Sequence, residues 1–471
     1  MRALWILLVS CVPVLALARP GGGEVFSAPS SGGGGSSDGD GKLVFELLWL
    51  LLRLTYYYPK IMIPVLLGVV LLLWWTARNR PQSWTSSHQH APVVRPDLAS
   101  LKTVDPDFSQ VLFEDFAYRL YATVQRARPS ADALATLAPY LEDSVRAELL
   151  RPDWGAVSSV AVGALRVRGC QLLGDSTQVE LELEANVGAA QAFYVRERWR
   201  LRRSAKARTK PPKPNERLGC PNCGAPFRST DHRRCEHCGQ VVSDARFDWQ
   251  LFARTVIDER TQPPLLTREV AEQGTEHPTV VAMDFQGQWS ALRDKDAALS
   301  AESLLARTAL IHGELNAAWS SGELERVRAL ISPGMVDYLG YWLEAYRAQG
   351  LRNLTEQVRI THSELVKVTR DRYFDAVTVR LFATGLDYVL NAKGDVVRGS
   401  KRVEREYSEY WTLIRGTGTR GTPRSEATCP NCGAPLAATA TGTCKYCDVH
   451  VTAGEFDWVL SKIEQDDVYI G

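Results

Sequence analysis

Glu409-Tyr410-Trp411-Thr412-Leu413-Ile414-Arg415 is the stretch that decides the fold, because the chain has already written it once. At 197–203 stands Glu-Arg-Trp-Arg-Leu-Arg-Arg, with Glu197, Trp199, Leu201 and Arg203 in the places of Glu409, Trp411, Leu413 and Arg415. Alternation of this kind belongs to a β-strand with one buried face. Each strand is followed by Cys-Pro-Asn-Cys-Gly-Ala-Pro, at 220–226 and at 429–435, then by a second cysteine pair (Cys235 and Cys238, Cys444 and Cys447). Each cysteine cluster is followed by Phe-Asp-Trp, at 247–249 and 456–458. The soluble part of the chain is a duplication.

Working upstream, both copies put helices before strands. Phe108, Leu112, Phe113, Phe116, Leu120 and Val124 lie at helical spacing, as do Leu304, Leu305, Ile311, Leu315 and Trp319. Leu137-Ala138-Pro139 and Ile331-Ser332-Pro333 read as matching ends of a helical stretch, with second helices over 141–150 and 335–349. Alternation predicts strands at 157–173, 178–185 and 192–203, then at 358–369, 374–384 and 402–415. Helices followed by an antiparallel meander make an α+β domain with the helices on one face of the sheet.

Both clusters read C-x2-C-x11-C-x2-C. Two thiolates from each tight knuckle supply the tetrahedral sulfur set that zinc prefers. The ligands expected from this spacing are Cys220, Cys223, Cys235 and Cys238 in ribbon 220–238, and Cys429, Cys432, Cys444 and Cys447 in ribbon 429–447. Four protein thiolates leave no open position, so each Zn2+ is expected to be structural. His232, His237 and His450 read as surface residues. The ribbon lies between a strand ending in Trp-x-Leu-x-Arg and a strand beginning at Phe-Asp-Trp. It either staples that hairpin or is held out from its tip.

The front of the chain is of another kind. Residues 1–18 have a basic start, an apolar centre and an Ala-Leu-Ala end, the pattern of a signal peptide. Residues 19–42 are a Gly/Ser-rich tether. Residues 43–58 form an interfacial or re-entrant apolar segment, and 61–77 an uncharged transmembrane helix ending at Trp74 and Trp75. Arg78 and Arg80 follow, and together with the thiolates they favour the soluble domains on the cytoplasmic side.

Taken together, the closing strands E-x-W-x-L-x-R (197–203, 409–415) and F-D-W-x-L (247–251, 456–460), behind paired helices and a short proline-bearing turn, resemble the Tim-forty-four-like domain. The resemblance covers about 105–258 and 296–467, with 259–295 as linker. It implies a cone-shaped fold like that of nuclear transport factor two, with a hydrophobic pocket. It also implies a bacterial-type member whose signal peptide, tether and anchor place it at the inner membrane.

Function is expected to be that of a non-enzymatic scaffold binding partner proteins or anionic lipid. Arg196, Arg198, Arg200, Arg202, Arg203, Lys206, Arg208 and Lys210 form the candidate lipid patch. No catalytic residues are assigned: the chain has no nucleophile elbow, phosphate-binding glycine loop or His-Glu-x-x-His helix. An enzyme or small-ligand binder using the pocket is the alternative. The recurring Glu197 and Glu409 read as edge-of-sheet glutamates paired with arginine. A net charge of +1 argues against a nucleic-acid partner.

Overall fold

The computed structural model describes residues 98–471 except 213–217, 262–265, 267–274, 430, 440–441, 450, 452–453, 467–468 and 470, together with 88–90 and the isolated positions 57, 58, 60 and 64. The signal peptide, the tether and nearly all of both apolar segments lie outside the described residues. Among the described residues, no helix is long and apolar enough to cross a membrane.

In chain order the elements are β1 (His88–His90), α1 (Gln110–Ala127), α2 (Ala131–Ala135), α3 (Asp143–Leu149), β2 (Ser159–Leu173), β3 (Ser176–Gly188), β4 (Ala192–Ser204) and β5 (Gln250–Thr261). There follow β6 (Thr279–Val281), α4 (Phe285–Lys295), α5 (Ala301–Ser321), α6 (Pro333–Ala348), β7 (Leu351–Arg370), β8 (Phe374–Asn391), β9 (Val396–Gly416) and β10 (Val459–Gln465). Two four-stranded sheets result, ordered β2-β3-β4-β5 and β7-β8-β9-β10, with every neighbouring pair antiparallel. The fold is α+β, two helix-and-sheet units in tandem.

The helices start where the sequence supplies caps. Ser109 accepts from Leu112 N at 3.2 Å, and Ser332, with Pro333 behind it, accepts from Met335 N at 3.4 Å. Ser300 and Ser303 cap α5 reciprocally, and α5 ends at Gly322, whose φ of 74° is the left-handed conformation that glycine takes without strain.

In both sheets the inner face is set by the repeated motif. Val195, Trp199 and Leu201 pack against α1 in one core, and Trp411 and Leu413 against α5 in the other. The outer face of the second sheet is also covered, so β8 is buried residue after residue from Phe374 to Val389. Its cover comes from two segments. Val280 and Val281 of β6 lie against Val366, Tyr410 and Tyr469, and the ring of Tyr469 stacks on Tyr410 at 3.7 Å.

Four sequence expectations need correction. The stretch 259–295 is not mere linker, since it carries β6 and α4. Strands β7, β8 and β9 run further than alternation suggested; in β8 the reason is burial on both faces, which erases the period-two pattern beyond Thr384, and β7 and β9 extend with it as its pairing partners. The match between Leu137-Ala138-Pro139 and Ile331-Ser332-Pro333 is out of register. Leu141 bridges Leu251 where Ile331 bridges Leu460, both in parallel, so Leu141-Glu142 corresponds to Ile331-Ser332. Lastly, Phe-Asp-Trp precedes its strand in each copy, which begins at Gln250 or Val459.

The units share surfaces. Val111 and Leu112 of α1 pack on Phe374, Ala376, Ile414 and Val459 of the second sheet. Ala161 of β2 lies in the second unit's core, beside α6. Helix α3 has only 7 residues where its counterpart α6 has 16, so the longer helix reaches across to β2. Ser109 Oγ donates to Asp371 Oδ2 at 2.6 Å, and Tyr373 Oη to the Thr209 carbonyl at 3.1 Å.

Candidate metal centres

Each cysteine knuckle is a short turn closed by its own backbone. Cys220 N donates to Ala225 O at 2.7 Å, and Cys429 N to Ala434 O at 2.7 Å. The second knuckles repeat the device, with Cys235 N on Gln240 O at 2.9 Å and Cys444 N on Val449 O at 2.8 Å. The residue after the fourth ligand turns left-handed in both: Gly239 at φ 69° and Asp448 at φ 57°. Asp is one of the few side chains that tolerates this region.

These turns aim four thiols at one point. The Sγ atoms of Cys220, Cys223, Cys235 and Cys238 all lie within 4.8 Å of one another, as do those of Cys429, Cys432, Cys444 and Cys447. Cys220 and Cys238 are 3.8 Å apart, Cys429 and Cys447 3.8 Å, and Cys432 and Cys444 4.0 Å. A disulfide would need about 2.05 Å. The edge of a tetrahedron with metal–sulfur bonds of about 2.3 Å is ~3.8 Å. The spacing is that of metal ligands, and both clusters can hold an ion.

One contributor was missed in the sequence. Hydrogen bonds from Asn222 and Asn431, inside the first knuckles, help bring the thiols of Cys238 and Cys447 down to about 6, while burial pushes that of Cys220 up to about 12. Such lowering favours the thiolate that a metal binds. The Cys-Pro-Asn-Cys repeat held the signal, but it was read for its cysteines alone. His232 and His237 are exposed and stand outside the thiol cluster; His450 lies outside the described residues.

The ribbons are not held out from the hairpin tip. Cys220, Cys235, Phe227 and Val242 pack on Ala138, and Tyr140 Oη donates to Gly219 O at 2.9 Å. In the second copy Cys429, Cys444, Ala438 and Val451 pack on Ala329. Each ribbon therefore staples the long connection between its two strands to the turn that joins the helices of its own unit.

Beside each ribbon sits a buried clamp built from the rest of the motif. Arg203 Nη2 lies 2.8 Å from Asp105 Oδ2, and Arg415 Nη2 lies 2.9 Å from Asp296 Oδ2, with all four side chains almost fully buried. The guanidinium of Arg203 covers the Trp249 ring at 4.7 Å, and that of Arg415 covers Trp458 at 4.6 Å. The motif arginine thus ties three places together: the end of the third strand, the segment leading into α1 or α5, and Phe-Asp-Trp after the ribbon.

Glu197 and Glu409 also differ from expectation. They are fully buried in central strands, not at a sheet edge. Trp199 Nε1 donates to Glu197 and Trp411 Nε1 to Glu409, each at 2.8 Å. Arg254 Nε and Gln125 Nε2 also donate to Glu197, at 2.8 Å and 3.3 Å, and the buried Arg128 Nη1 lies 3.6 Å from it. In the second unit Gln465 Nε2 reaches Glu409 at 3.2 Å, and nearby His312 meets Tyr407 Oη at 2.9 Å.

The basic run divides between the two faces of β4. Arg203 belongs to the inner clamp. Arg196 and Arg198 face outward over Glu182, Arg202 reaches Glu142 at 2.9 Å, and Arg200 lies over Phe252 at 5.3 Å. Arg208 donates to Val104 O at 2.6 Å, Lys210 to Pro221 O, and Lys206 is exposed. A groove of about 630 Å³ lies elsewhere, where Arg126 and Ser159 of the first unit meet Leu324, Val336, Tyr341 and Arg347 of the second.

Both helix-and-sheet units are followed by a four-thiol cluster. Residues 286–424 match the family described as Tim44-like domain, from the start of α4 to just before the second cysteine cluster. The chain thus carries a Tim44-like domain in its second unit, and its first unit repeats the same helix-and-sheet plan. No curated protein matches the chain. A solved structure titled "Ntf2 like protein involved in plasmid conjugation" aligns at 7% identity and a TM-score of 0.18, covering 75% of this chain and 96% of that one.

Proposed function

We propose that the chain is a membrane-anchored, non-enzymatic scaffold whose two units are fixed in shape by structural zinc and present their surfaces to partner proteins or anionic lipid. The observation that carries this reading is the closure of both thiol clusters. Four thiolates per site fill the tetrahedron that zinc takes and leave no position for water or substrate. The interiors fit the same reading, since Trp154, Trp199, Trp319, Trp342, Trp411 and Trp458 are fully buried within the two cores.

The anchor rests on the apolar run 61–77, and the cytoplasmic side on Arg78 and Arg80 that follow it. Carbonate extraction of membranes tests it: the full chain should stay in the pellet, and a chain lacking 61–77 should leave it. Full chain released to the supernatant would contradict the anchor.

A second reading, as a small-ligand binder, draws on the groove beside Tyr341. Its volume falls within the ~300–1,000 Å³ usual for ligand sites. Ligand-dependent thermal stabilisation that Leu324→Arg abolishes would support it. A metabolite screen without any such shift would remove it.

A further inference from the structure

The two sheets treat their outer faces differently, although one motif fixes both registers. Trp199 stands opposite Leu181 and Trp411 opposite Val379, so Glu182 of β3 corresponds to Arg380 of β8. In the second unit that position receives the turn that follows β10, which brings in a carboxylate of the chain itself. Arg380 Nη2 lies 2.9 Å from Asp466 Oδ1, and Ser408 Oγ donates to Asp466 Oδ2 at 2.5 Å. Three residues on, Tyr469 stacks on Tyr410. Arg380 Nη1 also donates to Thr279 Oγ1 at the start of β6 and to His277 O just before it, at 2.9 Å each. An outer face of this fold can therefore seat a carboxylate with an aromatic three residues after it.

On the first sheet the same face is open and its charges are layered. Glu182 is only 2% exposed, while Arg168, Arg196 and Arg198 above it are 43%, 39% and 45% exposed. Arg168 Nε donates to Glu182 Oε2 at 3.1 Å and Arg196 Nη2 to Glu182 Oε1 at 2.6 Å. Arg198 Nη2 lies 3.5 Å from Glu182 Oε2. Glu182 is a buried keel under three guanidiniums, while Glu180 and Glu142, themselves partly exposed, flank the ladder at 3.5 Å from Arg198 and 2.9 Å from Arg202. Each guanidinium has five N–H donors and spends only some of them on the keel. Arg196, Arg198, Arg200 and Arg202 recur at every second residue of β4, about 6.6 Å apart along the strand. Phe252 lies beneath Arg200 and Arg202 at 5.3 and 5.4 Å, an aromatic floor beside the ladder.

We propose that this arginine ladder on the outer face of the first sheet is a docking surface for an extended acidic segment of a partner protein. The ligand it selects has carboxylates at alternate residues and an aromatic residue close by. The proposal deepens the scaffold reading by naming the chemistry of the partner. Two observations favour a peptide over a lipid surface: the ladder has the period of a β-strand, and the matching face of the second sheet already binds a carboxylate of the chain itself, that of Asp466.

The test uses the full chain in nanodiscs of phosphatidylcholine, a neutral lipid. The probe is a fluorescent peptide with the sequence of residues 464–471, Glu-Gln-Asp-Asp-Val-Tyr-Ile-Gly. Fluorescence anisotropy should show saturable binding that weakens with salt and disappears when the acids become amides. Arg198→Gln with Arg200→Gln should weaken it at least about tenfold, the loss of roughly 1.4 kcal/mol. Arg198→Lys with Arg200→Lys should lose less, and it decides the matter if the glutamine variant unfolds. Equal affinity for the wild type and both variants, or no saturable binding, would overturn the proposal. So would a variant that loses binding to phosphatidylglycerol vesicles while its peptide affinity stays unchanged, because the face would then serve a membrane. Release of the full chain from membranes with peptide binding intact would instead remove the anchor and leave the docking surface standing.

Discussion

Arg203 and Arg415 show how much one side chain can organise. Each is buried against an aspartate that precedes the helices and a tryptophan that follows the ribbon. Removing one partner of such a pair leaves a charge in a dry site, at a cost of about 3–5 kcal/mol. Asp296→Ala should therefore lower the denaturant midpoint of the second unit far more than Asp258→Ala on the surface of the first. Equal midpoints would show that the clamp carries no weight. Glu182 titrates in the opposite sense to a buried carboxylate left alone. Burial pushes its pKa up, but hydrogen bonds from Arg168 and Arg196 outweigh that and bring it from 4.5 down to about 2. A depressed folded-state pKa contributes stability above the unfolded value, lost as pH falls from about 4.5 through about 2. Glu182→Gln should flatten the acid limb of the stability profile over that window and leave the slope near neutrality alone. An unchanged acid limb would contradict the keel.

At the scale of elements, the ribbons act as staples between the third and fourth strands of each sheet. Cysteine spacing made both clusters legible in the sequence, because two knuckles at one separation in duplicate have few other uses. The packing of the ribbon on Ala138 or Ala329 was not legible, since small residues in a turn announce no partner. The helix match slipped because Pro139 and Pro333 look alike, whereas the structure aligns the copies by backbone bridges at Leu141 and Ile331. Glu197 read as an edge residue because glutamate is seldom buried without partners. Arg254 and Gln125, which make its burial tolerable, come from distant elements that a local pattern does not join. Cys235→Ser should remove one metal ion per chain and leave the other in place, as mass spectrometry under native conditions would read. Loss of both ions would mean that the staples are coupled, contrary to their separate packing.

Across the whole molecule, duplication gave two similar plans but not two independent bodies. Helix α6 covers β2 of the first unit, where the short α3 stops, and α1 in turn packs on the second sheet. Residues 98–261 expressed alone should therefore bind a hydrophobic dye and exchange amide protons faster than they do in the full chain. A native-like, dye-silent fragment would show that the first unit is self-sufficient. None of this interlock was legible in the sequence, which repeats motifs without saying whose helix covers whose strand. Each unit closes on a four-thiol cluster whose proposed occupant is zinc. The measurement that tests it most directly is zinc content combined with X-ray absorption at the zinc edge on the purified full chain. Two zinc ions per chain are expected, each with four sulfur neighbours at about 2.3 Å. One ion or none, a nitrogen or oxygen in the coordination shell, or cysteines paired as disulfides would contradict it.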